Sequence, residues 1–143
     1  MTYYEWVSFI DSLKKGTISE ENIQKLETSN ITYTGDIKVR FLNQIVGLIN
    51  YRLNDSLDNF IMKLNTIEQN SNTLILEINY LSNEIKVAKR LASIKHFDNN
   101  SKNSLLQSIT NFGEDMKKTI VEAFKNNNVP EIQMIISNLN FNA

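Results

Sequence analysis

From residue 48 to residue 112 the chain contains neither glycine nor proline. The two strongest helix breakers are therefore missing from the middle of the sequence. Apolar residues in and around this stretch recur at steps of three and four, the spacing of one helix face. Phe41, Leu42, Ile45, Val46, Leu48, Ile49, Leu53, Leu57, Phe60, Leu64 and Ile67 form a first stripe. It is wide at its start, as expected of a helix covered on two sides, and narrows after Leu53 to a heptad-like seam. Leu74, Ile78, Leu81, Ile85, Ala88 and Ala92 form a second stripe.

Asn70, Ser71 and Asn72 lie between the two stripes and use helical backbone poorly. The stripes are in phase across them, which favours one continuous coiled-coil helix over residues 36–95. Such a rod would be about 90 Å long. The next helical stretch, residues 104–125, would cover only about a third of it. A break at Asn70–Asn72 instead yields three segments of similar length, about 36–69, 73–95 and 104–125, which close into a compact bundle through short connections. Ser and Asn there also supply caps for a returning helix. The bundle is the expected fold, and the continuous helix is the alternative.

The flanks carry clear punctuation. Thr2 and Glu5 have the spacing of a capping box. Tyr3, Trp6, Ile10 and Leu13 then share one face, and Gly16 supplies the stop. Ser19 caps a second short helix, with Glu20 and Glu21 in its first turn and Ile18 and Ile23 as a hydrophobic staple. That helix ends near Thr28, and residues 30–35 read as an extended connector closed by Gly35. Residues 96–103 read as a loop with Asp98 and Ser101 as possible caps. Gly113, inside the next helix, costs about 1 kcal/mol against Ala and suggests close approach to a neighbour. After residues 126–129, Pro130 opens a short C-terminal helix over 130–139, with Ile132, Ile135, Ile136 and Leu139 on one face. The organisation expected is a small N-terminal helical pair, 1–35, on a helical bundle, 36–143, as one folded unit.

Composition narrows the function classes. The 143 residues include no Cys, which excludes disulfides, thiolate metal sites and a Cys nucleophile. No run approaches the length of apolar sequence a membrane span needs, and the first residues lack the pattern of a signal peptide. A cytoplasmic protein without membrane contact is expected. The formal net charge of −1 gives no general attraction to nucleic acid. Abundant Asn, Ile and Lys suggest an AT-rich genome, such as that of a low-GC bacterium or its phage.

Candidate chemistry is sparse. The lone histidine, His96, follows Arg90 by six residues near a helix end. All-helical ribonucleases of the HEPN superfamily place Arg and His at comparable spacing for acid–base work on a ribose hydroxyl. Here Leu91 follows the Arg where such motifs carry a polar residue, so the pattern amounts to a permitted spacing and not a family signature. Lys86, Lys89 and Arg90 share one helix face, within a segment (70–97) of four basic and two acidic residues. That face suits an acidic partner or phosphate, or simply solvent. Glu20/Glu21 fit a helix start, whereas Glu114/Asp115 diverge by about 100° on a helix and share no ligand geometry. No phosphate loop or nucleophile elbow is present.

The sequence therefore points to an all-α, non-enzymatic protein-binding module without cofactor or metal. Small adaptors, inhibitors, immunity or antitoxin proteins and small subunits of assemblies are of this kind. The contact residues it offers are Lys86, Lys89 and Arg90 on the basic face and Ile132, Ile135, Ile136 and Leu139 on the last helix. The alternatives are a coiled-coil homodimer and an RNA-binding or RNA-cleaving bundle that uses Arg90 and His96.

Overall fold

The computed structural model describes residues 1–67 and 70–142. Among them the chain forms α1 (Tyr3–Ser12), α2 (Glu20–Glu27), α3 (Gly35–Met62), a single turn α4 (Leu64–Ile67), α5 (Ser71–Ala92), α6 (Asn99–Ala123) and α7 (Pro130–Ser137). The all-helical bundle is as the periodicity predicts. The continuous helix over 36–95 is not formed.

The reversal starts earlier than the Asn-Ser-Asn stretch. α3 ends at Met62, where the Lys63 N–H turns back to the Phe60 carbonyl, and α4 adds one more turn. The predicted end of this helix, at residue 69, lies outside the described residues. Ile67 is fully buried and pins the connector to the core. Asn70 is then the N-cap of α5, its Oδ1 accepting from the Thr73 N–H at 3.2 Å. Ser71 and Asn72 consequently sit in the first turn of α5 and not in the gap. The in-phase seam misleads because Ile67 is buried by the connector, and its spacing to Leu74 need not be helical to bury both.

α3 and α5 form the central antiparallel pair. The contacts Lys63–Glu77, Arg52–Glu84 and Phe41–His96 step down one helix and up the other. α6 then runs back beside them. It starts just after His96, and its C-cap Phe124 packs against Phe60 at the far end of α3, centroids 6.5 Å apart. The result is a three-helix, up-down-up bundle. α6 begins at Asn99, five residues before the expected start, because Asp98 caps it by accepting from the Ser101 N–H at 2.7 Å. α5 stops at Ala92 instead of 95, and Ile94 and Phe97 are buried in the link that follows.

The N-terminal pair sits on one end of this bundle. The Thr2–Glu5 capping box is formed, and Gly16 takes φ +78°, a left-handed value that L side chains rarely adopt. Trp6 of α1 packs edge-on to Phe41 of α3. Trp6, Ile10, Leu13, Ile18, Ile23 and Leu26 join the same buried cluster as the bundle residues. Full burial of each such side chain is worth about 1.5–3 kcal/mol. At the other end, α7 folds back onto α5, with Ile132, Ile136, Leu139 and Phe141 buried. The Gly113 expectation is met as well. A Cβ there would lie 2.9 Å from the side chain of Asn142, whose Nδ2 donates to the Thr110 carbonyl. Among the described residues no helix is long and apolar enough to cross a membrane.

Candidate functional site

Of the basic residues singled out by sequence, Arg90 serves the fold. Arg90 donates to Glu20 at 2.6 Å and to Glu27, both on α2. Those hydrogen bonds lower the Glu20 carboxyl below its ordinary value and raise the guanidinium further. Lys95 reaches Asn30 at 3.1 Å. His96 Nε2 lies 2.9 Å from Ser29 Oγ. The Ser29 hydroxyl proton is committed to the Leu26 carbonyl, so the imidazole donates this bond. Burial, then the cations Lys95 and Lys38, hold His96 below its ordinary value of 6.5, opposed by a hydrogen-bonding interaction with the Ser29 backbone. Arg90, Lys95 and His96 thus fasten the end of α5 to α2 and its exit. Lys86 is exposed and Lys89 half-exposed.

The expected contact residues of the last helix divide similarly. Ile132, Ile136 and Leu139 face the core, and Ile135 is half-buried. Met134, between them, is 67% exposed.

An exposed apolar strip lies on the first half of α5, away from the covered end. Leu76 is 69% exposed, Tyr80 48% and Ile75 43%. With Asn72, Asn79 and Asn83 they form the outward ridge of the helix. Concavities flank this ridge on both sides. Between α5 and α7 lies an apolar groove of about 390 Å³, walled by Ile75, Ile78, Met134, Ile135 and Leu139, with Asn79, Asn138 and Asn140 at its edge. No ionisable side chain lines it. On the α3 side, Leu76, Glu77 and Tyr80 face Ser56, Asn59 and Lys63 across a smaller hollow of about 210 Å³.

That hollow leads to a polar cleft of about 470 Å³ below the α1–α2 loop. Its floor is the pair Arg52–Glu84, 7% and 4% exposed. Arg52 Nε and Nη2 donate to the two Glu84 oxygens at 3.0 and 2.6 Å, and Nη1 donates to the carbonyls of Leu13 and Gly16 at 2.9 and 2.8 Å. Four of the five guanidinium donors are consumed inside the fold. Desolvation, then the Glu84 carboxylate, raises the Tyr80 hydroxyl above its ordinary value. The cleft is therefore built around an ion pair that holds the N-terminal loop.

The ridge has a sequence signal that the seam spacing alone does not carry. Residues 74–81 hold Leu74, Ile75, Leu76, Ile78, Tyr80 and Leu81, more apolar residues than one face of a helix uses. The excess, Ile75, Leu76 and Tyr80, is the exposed strip. Among the described residues no three His, Asp or Glu gather at metal-binding distance. No family model, curated protein or solved structure matches this chain.

Proposed function

We propose that the chain is a non-catalytic, cytoplasmic protein-binding module, a small helical adaptor, inhibitor or assembly subunit. The observation that carries this reading is the exposed strip Ile75–Leu76–Tyr80 with Met134, set between an apolar groove and a polar hollow. Scattered apolar residues on a surface need no explanation, but a contiguous strip beside a groove marks a binding face. A partner element laid along α5 would bury the strip and place apolar side chains in the groove, the helix-in-groove mode. Supporting it from the other side, Arg90 and His96, the residues with most promise for chemistry, are held by α2 and Ser29.

The test is site-specific photo-crosslinking. A photoreactive residue at Leu76, on the strip, is compared with one at Ser108, on the exposed face of α6. The expected result is one stoichiometric crosslinked protein from host cells at Leu76 and none at Ser108. Equal, diffuse labelling at both positions would sink the reading.

A further inference from the structure

We infer that the occupant of the α5 face is a second copy of this chain, packed about a two-fold axis. The inference rests on the protein-binding reading and names its partner. A two-fold interface needs one patch that carries both halves of the contact. This face does. The ridge (Ile75, Leu76, Asn79, Tyr80) and the groove (Ile75, Ile78, Asn79, Met134, Ile135, Leu139) are neighbours and share Ile75 and Asn79. In an antiparallel, two-fold pairing, the ridge of each copy enters the groove of the other.

Charge points the same way. The outward positions of α5 from Asn72 to Asn83 are Asn, Ile, Leu, Asn, Tyr and Asn, none of them charged at neutral pH. The groove is equally free of charge. At the α3 border, Lys63 and Glu77 neutralise each other, Nζ to Oε1 at 3.3 Å. Like-charge contact is the usual penalty when a surface meets itself, and here it is missing. A face selected for a foreign partner by electrostatics would instead carry a sign.

The polar groups that interrupt the strip are also suited to self-pairing. Asn79 and Asn83 each offer a donor and an acceptor on one amide, so a residue can bond its own symmetry mate. A Lys or Glu there could not. Asn at a helix–helix seam also fixes register and oligomer state.

The chain has no Cys, so one introduced thiol reports proximity cleanly. Sedimentation equilibrium of the full chain, from micromolar to millimolar, should show reversible monomer–dimer exchange. Leu76→Lys and Met134→Lys should each weaken it by about tenfold or more with unchanged helical circular dichroism, while Val121→Lys on α6 should not. Under mild oxidation Asn79→Cys should form a disulfide dimer and Ser108→Cys should not. A chain that stays monomeric to millimolar concentration, or a dimer indifferent to both Lys substitutions, overturns the inference. In that case a foreign protein crosslinked at Leu76 leaves the binding reading standing, and absence of any crosslink removes both.

Discussion

Two ion pairs cross the same helix pair, and they differ in almost every respect. Arg52–Glu84 is bidentate, nearly inaccessible, and tied through Arg52 to two loop carbonyls. Lys63–Glu77, nearer the reversal, is a single contact at 3.3 Å with the lysine 57% exposed. α1, α2 and their loop cover the first end of the α3–α5 pair, whereas the front of the second end is bare. Burial turns the first pair into a fastening, and exposure leaves the second as a surface decoration. The apolar core runs through both ends, so the two pairs differ in what covers them and not in the core beneath.

The largest break in this comparison should come from Arg52→Ala. It leaves the Glu84 carboxylate buried without a partner and two loop carbonyls without a donor, a loss of about 3–5 kcal/mol. For a chain of this size that is a drop in melting temperature of roughly 10 °C or more. Thermal unfolding followed by circular dichroism measures it. A loss below about 1 kcal/mol, the scale of an exposed pair, would mean that the two ends do not differ as described. Replacing both partners by apolar residues, Arg52→Met with Glu84→Leu, should recover much of the loss, because a buried ion pair stabilises little over a packed apolar one.

The fold was legible where local rules suffice. Thr2, Ser19, Asp98 and Pro130 announce helix starts by chemistry that acts over three or four residues. The stripes announce which faces are inward. Positions decided by distant partners were harder. Nothing near Lys63 in sequence marks the end of α3, since no Gly or Pro stands there. That end follows from burying Ile67 and capping α5 with Asn70. For the candidate site, the basic cluster 86–95 was visible but its use was not. Three of its contacts go to residues 63–70 positions away in sequence. A clue existed in the charge pattern, acidic in the first helices and basic at the end of α5. Leu74 and Ile78 carry the seam, and the surplus Ile75, Leu76 and Tyr80 beside them fall outside its spacing.

His96 sharpens the covered end through pH. Its folded value lies below 6.5, and the unfolded chain titrates near that ordinary value. Between the two, the unfolded state binds more protons, so stability falls as pH drops below about 6.5 and levels off below the folded value. Glu20 and Asp98, both lowered, contribute their losses only at more acid pH. Denaturant unfolding from neutral pH to about pH 5 should show the slope, and His96→Gln should flatten it. A slope unchanged in the variant would remove His96 from the account.

Gly113→Ala probes the back of the bare end, where Asn142 crosses α6. The helix gains about 1 kcal/mol from Ala, but the new Cβ displaces the Asn142 amide from the Thr110 carbonyl. The two effects nearly cancel, so global stability should move by less than about 0.5 kcal/mol. Hydrogen exchange should nevertheless rise at residues 139–142. Protection there equal to the parent chain's would mean that Asn142 does not hold the tail.

The smallest effect should come from Lys63→Ala. The pair it removes is exposed, and such pairs are worth about 0–1 kcal/mol and less in salt. Yet the substitution leaves Glu77 unneutralised at the border of the α5 strip. In a two-fold assembly that border occurs twice, so two uncompensated carboxylates would flank one interface. Lys63→Ala should therefore weaken self-association measurably at low salt, with recovery at high salt, while the melting temperature of the dilute monomer hardly moves. The reverse pattern, a clear stability loss with association intact, would place the fastening at the bare end and undo the contrast between the two pairs.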